Sequence, residues 1–334
     1  MKLPLRDFSI WRNAKWTALL LGAVVISLGA ACGPARATGT SPLPTVRVVT
    51  VKASATPAAS QPPAVTESVA TKPAPTAAAA TQTTVATAAA TESRPTPDAQ
   101  TATRATRLPI LMYHYVEPWP AGAGTIRQGL TVRPEDFAAQ MAYLHDHGYV
   151  TVSLYDLIDS LTSGKALPAK AVVLTFDDGY LDLMDQVAPV LKPYGYTGTV
   201  FVITQLMDEK FPQYITWADA EALYAQGWKI EPHTKTHEEL AGRDRDFQLY
   251  QMLGSVQTVQ AHIGRQPRFF AYPSGKFDAL TVELARELNL WGAVTVNFAR
   301  VHHWDQRFTL GRVRVSGTGD LTDFVNGLEG DLQP

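Results

Sequence analysis

From Leu108 onward, short apolar runs alternate with stretches whose apolar residues recur every three or four positions. PILMYHYV (109–116), YVTVSL (149–154), AVVLTFDD (171–178), TGTVFVI (197–203), WKIEPHT (228–234), RFFAYPS (268–274), GAVTVN (292–297) and FTLGRVRV (308–315) carry the strand signal. They predict seven or eight strands. Between them RPEDFAAQMAYLHDHG (133–148), YLDLMDQVAPVLKPYG (180–195), WADAEALYAQG (217–227) and RDFQLYQMLGSVQTVQAHIG (245–264) show helical spacing and end at Gly. Strand and helix in turn predict an α/β fold with a parallel sheet or barrel, whose functional groups gather at the carboxyl ends of the strands.

The chain ahead of this pattern is of another kind. Lys2, Arg6, Arg12 and Lys15 precede an apolar run from Trp16 to Ala31, which is how an export signal is built, and residues 1–37 are read as one. Cys32, the only cysteine, follows in SLGAAC and resembles the lipobox of bacterial lipoproteins, although Gly29 stands where Leu is usual. A lipid anchor on the outer face of the cytoplasmic membrane is the expectation. Cleavage after Ala37 with release, or an uncleaved membrane anchor, are the alternatives. Residues 38–106 are rich in Ala, Thr, Pro and Ser and nearly free of bulky apolar residues, so they read as a disordered linker. One domain, 107–334, remains. The formal charge of −2 suggests no nucleic-acid partner, and a single cysteine excludes a disulfide within the chain. A monomer is expected.

Chemistry concentrates at two strand ends. TFDDGY places Asp177 and Asp178 where an apolar run stops, although an ionised carboxylate is costly to bury without a partner, a hydrogen bond or a metal. EPHTKTHEEL sets His233 and His237 four residues apart at the end of another strand. Two imidazoles and one carboxylate form a three-ligand set that leaves a position open, the pattern of a catalytic metal site. With Asp178 as the ligand, Asp177 is free to take a proton from water whose pKa the ion lowers, which leads to amide or ester hydrolysis.

TFDDGY, HTKTH and RFFAYPSG together, in their order and separation, resemble the first three motifs of the polysaccharide deacetylases, the NodB-homology group of carbohydrate esterases. The resemblance implies a distorted (β/α) barrel with seven or eight strands and a divalent ion, zinc with cobalt or nickel as alternates, held by Asp178, His233 and His237. Asp177 would be general base, and Arg268 of the third motif would orient it. The backbone N–H near Tyr272 would share the oxyanion with the metal, and Tyr272 and Tyr180, the latter at the start of the next helix, would serve as the substrate and oxyanion residues.

The chain departs from the family pattern in having no histidine after His303, so the usual carboxyl-terminal acid is missing. His114 in LMYHYV is the candidate acid, an arrangement similar to the family branch that acts on exopolysaccharides. His302 and His303 compete for the role. The expected enzyme removes N-acetyl or O-acetyl groups from an extracellular N-acetylglucosamine-containing polysaccharide. Two other readings are a barrel that binds carbohydrate without catalysis and a non-haem iron oxygenase using the same ligands.

Overall fold

The computed structural model describes residues 95–330; the expected export signal, Cys32 and most of the linker lie outside them. Ten strands occur among the described residues: β1 (Ala105–Arg107), β2 (Ile110–Tyr113), β3 (Tyr115–Val116), β4 (Thr131–Val132), β5 (Val150–Thr151), β6 (Ala171–Asp178), β7 (Thr199–Val202), β8 (Lys229–Pro232), β9 (Val301–His303) and β10 (Val313–Arg314). The main sheet runs β10-β2-β6-β7-β8, with β5 also on β6, and every pair in it is parallel. Helices cover the crossovers, so the fold is α/β, as the alternating pattern predicts.

β6 is buried at all eight positions because it is packed on both faces. Val172, Leu174 and Phe176 meet Phe137, Met141 and Leu144 of helix Pro134–Asp146, together with Phe324 and Leu328 of helix Leu321–Glu329. Ala171 and Val173 face a second cluster of Leu154, Leu157, Ile158, Leu161, Phe269 and Val294. Each such buried Val, Leu or Phe contributes about 1.5–3 kcal/mol relative to exposure. By the two-residue period, Thr175 and Asp177 share the face of Val173.

Three expected strands differ from the ladder form. RFFAYPS, GAVTVN and the first half of FTLGRVRV meet through single parallel bridges, Ala271 with Val294 and Val294 with Leu310, while Ala271 N–H donates to Pro232 O at the edge of β8. Pro273 lacks a donor, and Ser274 has a left-handed φ of 54° that ends an extended run. At Gly292 an added Cβ would stand 2.8 Å from Arg307 O, so the backbones there approach too closely for any side chain. The expected helix over 180–195 is likewise irregular: a π turn at Leu183–Val187, a short helix at Ala188–Leu191 and a 3₁₀ turn at Lys192–Tyr194, with Pro189 and Pro193 interrupting the helical bonds.

The domain also begins earlier than its composition indicates. Residues 95–106, read as the end of the linker, lie against the folded part. Asp98 N–H and Thr101 Oγ1–H both donate to Thr162 O, Arg104 Nη1 donates to Leu161 O, and β1 pairs antiparallel with β9. Helix Leu154–Ser163, which receives these bonds, starts on a reciprocal cap between Ser153 and Asp156 and ends at Gly164 with φ 72°.

Candidate active site

Asp177 and Asp178 close β6. Strict alternation would send their side chains to opposite faces, but Asp178 has φ 74° and Gly179 φ 80°, so the chain leaves strand geometry at that point. Gly179 is needed there: an added Cβ would lie 3.2 Å from Val202 Cγ1. Asp178 is buried, and among the described residues its Oδ1 has no hydrogen-bond donor. Two imidazoles face that oxygen instead, His233 Nε2 at 3.4 Å and His237 Nε2 at 3.3 Å.

β8 and the turn after it bring the histidines in. His233 Nδ1–H donates to Ala271 O at 2.7 Å, which leaves the Nε2 lone pair turned toward Asp178. Burial, then the neighbouring His237, lower the His233 pKa to about 4, so its ring is neutral near pH 7. Thr234 (φ 66°) and His237 (φ 62°) are also left-handed, a concentration of strained backbone that marks functional turns. The turn is held by Gln251 of helix Arg245–Ile263, whose Oε1 accepts from Lys235 N–H and Thr236 N–H, and by Thr234 Oγ1, which accepts from His237 N–H. Gln251 carries no sequence signal that distinguishes it from a surface helix residue.

The three candidate ligand atoms lie within 4.8 Å of one another. Around a tetrahedral ion with bonds of about 2.0–2.1 Å, ligand atoms stand about 3.3 Å apart. The spacing and the orphaned, buried Asp178 oxygen fit a divalent cation.

Asp177 has different company. Arg312, just before β10, forks onto it with Nη1 to Oδ1 and Nη2 to Oδ2, both at 2.7 Å, while its Nη1 also donates to Thr175 Oγ1 and its Nε to Thr295 O. Burial opposes ionisation of Asp177. The charge and bonds of Arg312 outweigh it, with help from His114 and His233, and hold the carboxyl well below the usual carboxylate range. The expected orienting residue, Arg268, is elsewhere: its Nη1 donates to Asn289 O, and its guanidinium lies 5.3 Å from the Trp291 ring. Arg268 stands five residues before Pro273, on the far side of a segment whose backbone N–H groups at 268 and 269 are held by Glu231.

Tyr272 also lies away from the position its motif predicts. Its ring is buried among Phe270, Leu284 and Phe308 and stacks on Phe277, and its N–H donates to Val294 O. It is a core residue. Tyr180 does stand at the site, stacked on Tyr115 at 3.8 Å and beside Tyr214 at 5.1 Å, with burial and the charge of Asp178 raising its pKa.

His114 follows β2 directly, and its Nε2 lies 3.9 Å from Asp177 Oδ2. Burial lowers its pKa, Asp177 and Asp178 pull the other way, and Arg312 and Arg314 add to the lowering. The turn after it is tied to the loop after Asp178, because Val116 N–H donates to Asp182 Oδ2. The rivals lie at the opposite end of the sheet. His302 is buried with Nε2 bonded to Leu108 O, and β9, which carries both rivals, pairs with β1 ahead of β2. Neither reaches the carboxyl-end mouth.

The polysaccharide deacetylase family model matches residues 164–292. YxkH of Bacillus subtilis (strain 168), a protein named for polysaccharide deacetylase, is 32% identical over 213 residues, which cover 64% of this chain and 73% of that protein. The chain belongs to the polysaccharide deacetylase family. A poly-β-1,6-N-acetyl-D-glucosamine N-deacetylase of Escherichia coli (strain K12) is 32% identical over 90 residues, 27% of this chain and 13% of the other. Among solved structures, the Streptococcus pyogenes deacetylase PplD in complex with acetate matches with a TM-score of 0.63 at 26% identity, over 68% of this chain and all of that one. This deacetylase is therefore a hydrolase of the amide class. The family match includes Asp177, Asp178, His233 and His237 but begins after His114 and ends before Arg312.

Proposed function

We propose that the protein is a divalent-metal-dependent N-deacetylase acting outside the cell on an N-acetylglucosamine-containing polysaccharide. The observation that carries this reading is the division between adjacent carboxylates: Asp178 has a bare oxygen facing two imidazoles, and Asp177 is forked by Arg312. The name of the Escherichia coli relative supports the choice of polymer.

Asp178, His233 and His237 would hold the ion, zinc with cobalt or nickel as alternates. When bound, it supplies Lewis-acid polarisation of the acetyl carbonyl and acidifies water. Asp177, kept ionised by Arg312, accepts the proton of the attacking water; each carboxylate oxygen can accept a further bond beside the one from Arg312. The water oxygen bonds to the acetyl carbon, the C–N bond breaks, and His114 delivers a proton to the departing nitrogen, giving acetate and a free amine. Tyr180, stacked on Tyr115 and beside Tyr214, would border the sugar at the mouth.

Export rests on the basic and apolar pattern of residues 1–37, and lipid anchoring on Cys32. The central test is acetate release from a panel of acetylated glycans, before and after chelation and with metal restored. Release that survives complete chelation, or no release from any glycan with metal present, overturns the proposal.

A further inference from the structure

Side chains along β10 alternate between two faces. Val313 and Val315 are buried beneath helix Leu321–Glu329 in the cluster of Phe324 and Leu328, which turns Arg312 and Arg314 to the other face. Arg312 occupies that face, 1% exposed and committed to Asp177. Arg314 is two residues nearer the mouth, paired in register with Met112, which is itself two residues before His114. Its charge acts on both Asp177 and His114.

Arg314 is exposed, and among the described residues no hydrogen bond or ion pair holds its guanidinium. Arg127, also on the mouth side, is paired with Glu117 and lies over the Tyr115 ring. Arg312 opposes and Asp177 favours the Arg314 cation, but among the described residues neither gives its guanidinium a hydrogen-bonded partner. It is positioned to meet something that arrives with the substrate. Its planar fork suits a carboxylate or a phosphate.

We infer that Arg314 receives an anionic group, carboxylate or phosphate, carried by the acetylated glycan on the sugar under attack or its neighbour. The inference rests on the deacetylase reading above and narrows it to acidic members of the N-acetylglucosamine-containing polymers.

The experiment compares the wild-type holoenzyme with Arg314→Gln and Arg314→Lys on three oligosaccharides of equal length. One is a neutral N-acetylglucosamine oligomer, one carries lactyl carboxylates on alternate sugars, and one carries a phosphodiester. Wild type should prefer an acidic oligomer, and more so at low salt. Arg314→Gln should lower the acidic-to-neutral ratio of kcat/KM by tenfold or more, chiefly through KM, and Arg314→Lys should retain part of the preference. The larger ratio of the two acidic arms identifies carboxylate or phosphate. Equal wild-type rates on neutral and acidic oligomers overturn the inference. So does a fall through kcat that is the same on all three in Arg314→Gln, since the residue would then act through Asp177 or His114. If no oligomer releases acetate, the deacetylase reading fails separately, and calorimetric binding of the same three decides: acidic preference lost in Arg314→Gln supports the anion site, and equal binding removes it.

Discussion

Glu231 and Asp178 are both carboxylates buried in the main sheet, two strands apart, and their surroundings are opposite. Glu231 accepts from Tyr155 Oη–H at 2.7 Å, from Arg265 Nη2 at 3.3 Å, and from the N–H groups of Arg268 and Phe269 at 2.9 Å each. Asp178 sits on left-handed backbone with one oxygen that no described residue donates to. The chain meets the desolvation cost of the first acid internally and leaves that of the second to a ligand from outside. A satisfied buried acid reads as architecture and an orphaned one as a binding site.

The largest effects should separate the pair. Asp178→Asn is expected to take deacetylation and bound metal to background while leaving the metal-free protein as stable as wild type or more so, since Asn tolerates the same left-handed φ. Glu231→Ala should do the reverse, lowering unfolding free energy by about 3–5 kcal/mol as the buried carboxylate that receives Arg265, Tyr155 Oη–H and the N–H groups of residues 268 and 269 is removed, with stoichiometric metal still bound. Denaturant melts with and without chelator, together with metal analysis, test both. Equal loss of stability in the two variants would erase the contrast.

Asp177 lies between these extremes, satisfied by one residue and still reactive. Arg312→Lys keeps a charge but cannot fork, so turnover should fall about 10²-fold with metal retained, a loss on the scale of a misplaced general base. A normal kcat in this variant would show that the fork does not position the base. His114→Ala should lose amide hydrolysis by about 10²-fold and an activated aryl acetate far less, because only the amine needs a proton to leave. Equal losses on the two substrates would reduce His114 to packing.

The smallest effect is expected at Asp182. Burial raises its pKa to about 7, above the unfolded carboxylate value of about 3.9, so its contribution to stability is complete below about pH 4 and is lost as pH rises through about 7. Asp182→Asn can still accept from Val116 N–H and does not titrate. Its melting temperature relative to wild type should therefore climb between pH 4 and pH 8. Parallel curves would show that the buried acid is relieved by other means.

Much of the site was legible because its signal is local. TFDDGY ends an apolar run in two acids, and EPHTKTH sets two imidazoles after another strand, so periodicity alone brings Asp177, Asp178, His233 and His237 to the carboxyl ends of β6 and β8. Arg312 was missed because its partner is 135 residues away and Arg268 stood inside a motif-like segment. A usable signal did exist. In GRVRV the arginines alternate with valines, and if the valines pack under a helix the arginines must face inward. Tyr272 was misjudged for a similar reason, since nothing in RFFAYPSG tells which of its aromatics a later helix will cover. The segments at 268–274 and 292–297 read as strands from their apolar content, yet the tight backbone approach at Gly292 allows only single bridges there.

β8 and the residue after it grip the third motif at two points, Glu231 holding residues 268 and 269 and Ala271 O receiving His233 Nδ1–H. For protein engineering, this means that the portable unit of the site is larger than its three ligands. A graft carrying Asp178, His233 and His237 onto another scaffold would bring the side chains but leave the His233 ring free to rotate and change tautomer. Strand Lys229–Pro232 would have to travel with the clasped segment 268–271, as one cassette, for the imidazole to keep its aim.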